Sequence, residues 1–140
     1  MISSELKDNS SFSFKKEERL SSKKIIKELF DKGSSFYLFP FKVIYLENSL
    51  AIPNQHQAHQ VLITVPKRKF KKAVDRNPIK RKIRESYRLQ KHLISPKSIK
   101  KSFWIAYIYT TDKDLPYSVI SEKLKMTLQR LKETVNKPTA

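Results

Sequence analysis

Apolar residues fall into short blocks along the chain, and the spacing inside each block sets the element it can form. After a polar, Ser-rich opening, Ile25, Ile26, Leu29 and Phe30 recur at helical spacing behind Ser21 and Ser22, either of which can cap free N–H groups. Gly33, the only glycine, follows the last turn, a place suited to a left-handed C′ residue. Residues 36–47, FYLFPFKVIYLE, are aromatic and β-branched with Pro40 as the one interruption, which predicts a strand starting at or just after that proline. A polar segment, 48–60, reads as a loop, and VLITV at 61–65 as a second strand paired antiparallel with the first, ended by Pro66.

The second half follows the same logic. Ile79, Ile83, Ser86, Tyr87 and Ile94 form one stripe of a helix, with Asn77, Lys80, Arg81, Arg84, Arg88 and Lys91 opposite. Residues 103–110, FWIAYIYT, are apolar on both faces and predict a central strand. Asp112, Asp114 and Pro116 mark a turn, and Ile120, Leu124, Leu128 and Leu131 are the buried stripe of a last helix over about 118–133. The order helix, strand, strand, helix, strand, helix predicts an α+β fold with helices laid on a small mixed sheet. Residues 1–15 read as a flexible leader, 16–134 as one domain and 135–140 as a frayed tail.

Charge changes the picture. With 30 Lys and Arg against 13 Asp and Glu the formal net charge is +17, yet 39% hydrophobic residues suffice for a packed core. The excess is concentrated: Lys67, Arg68, Lys69, Lys71, Lys72, Arg76, Lys80, Arg81, Lys82 and Arg84 face only Asp75 within one short stretch. Unpaired cations cannot be buried in a core, so this stretch meets solvent or a polyanion. A solvated helix face normally mixes signs to gain i,i+4 pairs, whereas this one keeps like charges together. Phosphate binding is therefore the favoured reading, with arginine the better ligand because its planar fork can grip two oxygens.

The order of residues adds more than the charge does. Lys72-Ala73-Val74-Asp75-Arg76-Asn77-Pro78-Ile79-Lys80-Arg81-Lys82-Ile83-Arg84-Glu85 resembles the signature of the protein component of bacterial ribonuclease P, an Ala-Val-x-Arg-Asn-Arg-x-Lys-Arg run followed by Ile or Met, Arg and Glu. Arg19-Leu20, Phe30, Gly33 and the Thr-Val-Pro-Lys-Arg run at 64–68 extend the resemblance over most of the domain. It implies a ribosomal-protein-like α+β domain with a left-handed βαβ crossover. It also implies that the basic helix contacts a catalytic RNA subunit through Arg76, Asn77, Lys80, Arg81, Arg84 and Arg88, with Lys67, Arg68, Lys71 and Lys72 extending the surface.

In this family a cleft between the first helix and the sheet receives the single-stranded 5′ leader of precursor tRNA. The resemblance assigns Ile26, Phe30, Phe41 and Tyr45 to that cleft. Aromatic faces there have a physical rationale, because they stack on any base. By spacing alone, however, Ile26 and Phe30 read as core more readily than as ligand-binding residues. One departure stands out: the second arginine of the family's Arg-Asn-Arg triplet is Pro78 here. Either Asn77 caps the helix and Pro78 opens it, or the helix starts near Ala73 and Pro78 deletes an internal hydrogen bond and loosens or kinks that turn.

Other chemistry is sparse. No cysteine is present, so thiol catalysis and thiolate metal sites are excluded, and a cytoplasmic location is the expectation. The N-terminal residues lack the apolar core of a secretory signal, and no window approaches the roughly 20 apolar residues that span a bilayer. His56 and His59 lie in a polar loop without acidic companions, so no protein metal site is expected. The resemblance implies an RNA-based endonuclease for tRNA 5′ maturation. In it Mg²⁺ serves the RNA subunit, the protein carries no catalytic residue, and the partners are the catalytic RNA and precursor tRNA. The competing readings are a stand-alone nuclease, which would need a carboxylate or histidine cluster, and a ribosomal or other RNA- or DNA-binding module.

Overall fold

The computed structural model describes residues 14–52, 58–95 and 98–137. Its elements are α1 (Lys23–Lys32), β1 (Ser34–Leu38), β2 (Phe41–Glu47), β3 (Gln60–Thr64), α2 (Ala73–Gln90), β4 (Phe103–Tyr109) and α3 (Tyr117–Val135), with short 3₁₀ turns at Lys16–Glu18 and Lys91–Ile94. The α+β expectation holds. The four strands run in the order β1-β2-β4-β3, with α2 and α3 packed on one face and α1 on the other.

Two strand expectations are corrected. Residues 34–38 form an additional edge strand, β1, antiparallel to β2 and joined to it through the cis peptide Phe39–Pro40. β3 does not pair with β2. It lies parallel to β4, Val61 opposite Ile105 and Ile63 opposite Tyr107, while β2 takes the other side of β4 antiparallel, Val43 opposite Tyr107. β4 is central, as its two apolar faces predict, and all of it except Ile108 is buried.

Alternation along the strands divides the core in two. Phe41, Val43, Val61, Ile105, Tyr107 and Tyr109 meet Ile79, Ile83 and Tyr87 of α2 and Ile120, Leu124, Leu128 and Leu131 of α3. On the reverse face Ile44, Trp104 and Ala106 meet Leu29 of α1, with Leu20 beside them and Ile25, Ile26, Leu46, Leu62 and Ile108 half-buried around the margin. Burying one such aliphatic or aromatic side chain contributes about 1.5–3 kcal/mol, so these stripes account for the helix positions. Polar groups inside are satisfied: the Tyr107 hydroxyl meets Thr127 Oγ1 at 2.8 Å, and Trp104 Nε1 donates to Gln60 Oε1 at 3.1 Å.

Ser22 is the α1 cap, its Oγ accepting from the Ile25 N–H. Gly33 differs from expectation. Its φ of −70° is ordinary extended backbone, and what demands glycine is space. A Cβ there would stand 2.4 Å from Leu29 O and 2.8 Å from Ile44 Cγ2, so the residue lets the end of α1 close onto β2.

Candidate nucleic-acid interface

Leaving β3, the chain passes Val65 and Pro66 into the loop that carries Lys67, Arg68, Lys69, Lys71 and Lys72, all exposed. Phe70 between them turns inward, its ring 6.2 Å from that of Tyr109. One apolar residue thus anchors a loop that charge repulsion would otherwise spread. Helix α2 follows with Lys72 at its N-cap, so the alternative in which Asn77 caps and Pro78 opens the helix is not realised. Asn77 lies exposed inside the helix, and Pro78 is its sixth residue. The helix runs on through the proline. The missing N–H removes the bond to the Val74 carbonyl, in a turn where Val74 is itself exposed.

Beyond Pro78 the amphipathic division is as expected except at Lys91, whose ammonium is shielded against Glu18. Ile79, Ile83, Ser86 and Tyr87 are buried, Arg81 and Arg84 are exposed, and Lys80 and Arg88 are half-exposed between them. The cations are not equivalent in their partners. Lys82 is turned aside to Asp114 Oδ1 at 2.8 Å and the Leu115 carbonyl at 3.0 Å, which ties the turn before α3 to α2. Arg88 binds Glu85 through Nε at 3.2 Å and through Nη2, and that guanidinium holds the Glu85 carboxyl below the usual carboxylate range. Arg76 is directed back to the carbonyls of Phe70 and Lys71. By contrast Lys67, Arg68, Lys69, Lys71, Lys72, Lys80, Arg81 and Arg84 have no acidic partner among the described residues.

The four residues assigned to a leader cleft are not brought together. Ile26 is half-buried and Phe30 is 47% exposed, both on α1. Phe41 and Tyr45 lie on the opposite face of the sheet, toward α2 and α3. Phe41 is fully buried, with ring centroids of Tyr107 and Tyr109 at 5.5 and 6.2 Å, and Tyr45 packs between Phe36 and Phe103 at 6.1 and 6.4 Å. The β2 residues that share the α1 face are Lys42, Ile44 and Leu46, with Tyr37 of β1 and Ile108 of β4 beside Lys42 in register. Period-2 alternation could have separated 41, 43 and 45 from 42, 44 and 46. It could not say which set meets α1.

His59, at the end of the loop just before β3, is not solvent-exposed: it is buried, its Nε2 2.6 Å from the Ile94 carbonyl and its Nδ1 accepting the Phe103 N–H at 2.9 Å. Those two partners fix the neutral tautomer with the proton on Nε2, and burial pulls the pKa down. His56 lies outside the described residues. Among the described residues no group of three or more His, Cys, Asp and Glu is placed to hold a metal ion, and no helix is long and apolar enough to cross a membrane.

An exposed basic loop continued by a basic helix face, mounted on a four-stranded α+β scaffold, has the charge distribution characteristic of the nucleic-acid-binding class of proteins. The chain belongs to the ribonuclease P protein family, whose family model matches residues 14–132, and with it to the ribonucleoprotein endonuclease of tRNA 5′ maturation. Similar proteins include the ribonuclease P protein components of Porphyromonas gingivalis, 30% identical over 86% of this chain and 87% of that one, and of Petrotoga mobilis, 33% identical over 84% and 94%. Solved structures agree. The RNase P protein of Thermotoga maritima superposes with a TM-score of 0.65 at 26% identity, covering 81% of this chain and 96% of that chain. That of Staphylococcus aureus, 24% identical, shares the fold with a TM-score of 0.65 over 85% and 98%. The resemblance read from residues 72–85 is borne out.

Proposed function

We propose that the loop 66–72 and the outward face of α2 bind the catalytic RNA subunit, with Lys67, Arg68, Lys71, Lys72, Lys80, Arg81 and Arg84 as its phosphate-facing groups. The observation that carries this reading is the set of exposed cations, with half-exposed Lys80, that have no acidic partner among the described residues. Holding them side by side costs Coulomb energy in the free protein, and a polyanion reverses the sign of that term. Lys69 joins the set by position, Asn77 adds an exposed amide, and Arg88 and Arg76 contribute with part of their donors already engaged.

In this reading the leader of precursor tRNA runs along the α1 face of the sheet, where Ile26 packs with Ile44, Phe30 is exposed on α1, and Lys42 and Tyr37 share the face of Ile44. A partly exposed ring, apolar flanks and an exposed ammonium suit a single strand read by stacking and charge rather than by base edges. Mg²⁺ belongs in this reading to the RNA subunit, where it would activate water and stabilise the departing oxygen. The protein supplies binding and orientation, residues 16–134 acting as one domain in the cytoplasm.

The direct test is the salt dependence of binding to the RNA subunit. Replacing Arg81 and Arg84 with alanine should lower the log–log slope by about 0.7–0.9 for each phosphate no longer neutralised. An unchanged slope would mean that this face is only solvated. Equal affinity for duplex DNA or ribosomal RNA at matched salt would favour the general-module reading, and cleavage of precursor tRNA by RNA-free protein would establish the stand-alone nuclease.

A further inference from the structure

We propose that Arg76 is a positioning residue that fastens the loop 66–72 to the first turns of α2, so that loop and helix cations present one surface to RNA. The inference rests on the RNA-binding reading above and departs from it in one respect: Arg76 acts mainly through the loop. Its Nη1 donates to the Phe70 carbonyl at 2.8 Å and to the Lys71 carbonyl at 3.0 Å, which commits both hydrogens of that nitrogen to backbone. The same loop is closed from its other end by Pro66, whose carbonyl accepts from the N–H groups of Lys69 at 3.1 Å and Phe70 at 3.3 Å.

The chemistry explains why an arginine holds this place. Lys67, Arg68, Lys69, Lys71 and Lys72 crowd together, and Asp75, the one acid in the stretch, makes no ion pair among the described residues. A carboxylate clamp would hold the loop but would place negative charge on a surface meant for phosphate. A guanidinium that chelates two carbonyls fixes the backbone and keeps the surface positive. Lysine carries the same charge on a flexible stem without the planar fork, so it cannot reproduce the clamp. Arg81 and Arg84, by contrast, are exposed and make no such inward contact.

Hydrogen–deuterium exchange of the free, full-length protein separates positioning from direct contact, because it involves no RNA. With Arg76→Lys, the Lys69 and Phe70 amides should exchange about tenfold faster, the size expected for losing roughly one net hydrogen bond that holds the loop closed. In binding to the RNA subunit, Lys71→Ala should lower the salt slope by about 0.7–0.9, and Arg76→Ala by at least about twice that, because several loop cations lose register together. Arg76→Lys should fail to restore the slope although it restores the charge.

Unchanged loop exchange in Arg76→Lys, or full recovery of the slope by lysine, would overturn the proposal and make Arg76 an ordinary phosphate ligand. Failure of the RNA-binding reading is seen elsewhere, in an unaltered slope for Arg81→Ala with Arg84→Ala. Because Arg76→Lys keeps length and charge, it decides the matter even if the alanine variant unfolds.

Discussion

Lys91 and Glu18 are 73 residues apart and form an ion pair shielded from water, with Nζ 2.7 Å from Oε1 and 3.0 Å from Oε2. Glu18 Oε2 also accepts the Lys15 N–H at 2.9 Å, so the carboxylate pins the 3₁₀ turn before α1 to the C-terminal end of α2. In a chain with so large a cationic excess, this acid is spent inside the fold and not on the basic face.

Removing one member of that pair leaves the other charged and shielded. Lys91→Met or Glu18→Gln should each destabilise the protein by about 3 kcal/mol, whereas the double variant should recover much of the loss, because two apolar or neutral groups need no mutual compensation. Urea denaturation of the four proteins in the cycle measures this. Additive losses would show that the two side chains are not coupled.

Acid should weaken the fold through His59. Burial lowers its folded pKa, while the unfolded chain takes up the proton near the ordinary value of about 6.5. The stability supplied by neutral His59 is therefore complete above that pH and falls as pH drops toward the folded value, at up to about 1.4 kcal/mol per unit. Protonation would also remove the Nδ1 acceptor from the Phe103 N–H. Denaturation midpoints between pH 7.5 and 5 should decline in the wild type and flatten in His59→Gln; parallel curves would assign the acid sensitivity to other groups.

Adding a single methyl group at Gly33 tests the contact between α1 and β2. Gly33→Ala must push aside the Leu29 carbonyl or Ile44, and a loss of about 1–3 kcal/mol is expected for such overpacking. Thermal unfolding checks the magnitude. If alanine were neutral, glycine would not be required there for space.

The proposed leader site makes an asymmetric prediction across the sheet. Phe30→Ala should weaken precursor tRNA binding by about 1–3 kcal/mol per stacked base while leaving mature tRNA unchanged. Tyr45→Phe, on the other face, should leave the preference for precursor intact. Binding of both RNAs to the assembled ribonucleoprotein compares them, and a lost preference in Tyr45→Phe would contradict this choice of face.

Much of the fold was legible because periodicity reports burial directly. The α2 stripe of Ile79, Ile83, Ser86 and Tyr87 and the α3 stripe of Ile120, Leu124, Leu128 and Leu131 are both buried as read. The pairing error at β3 was also visible in principle. A strand apolar on both faces is covered on both and sits centrally, and among the three strands read from the sequence a central β4 already separates β2 from β3. Local adjacency suggested a hairpin, and the non-local demand of β4 overrode it. The four residues of the leader-cleft assignment divide across the sheet for a related reason. Tyr45 and Phe41 carry the right ring chemistry, but the face they occupy depends on which side of the sheet α1 packs.

What the sequence determined by itself was the composition of surfaces: a cationic loop and helix face that no core can absorb, apolar stripes at helix and strand periods, and a residue order specific enough to mark the family. These follow from solvation, which acts on each side chain where it stands. Only the tertiary structure decided how the surfaces are shared out. It set β4 between β2 and β3, placed Phe30 and Tyr45 on opposite faces, gave Gly33 a steric role, and directed Lys82, Arg88 and Arg76 toward intramolecular partners while Arg81 and Arg84 stayed exposed. Those outcomes turn on distances between residues far apart in the chain, and one-dimensional spacing carries no information about them.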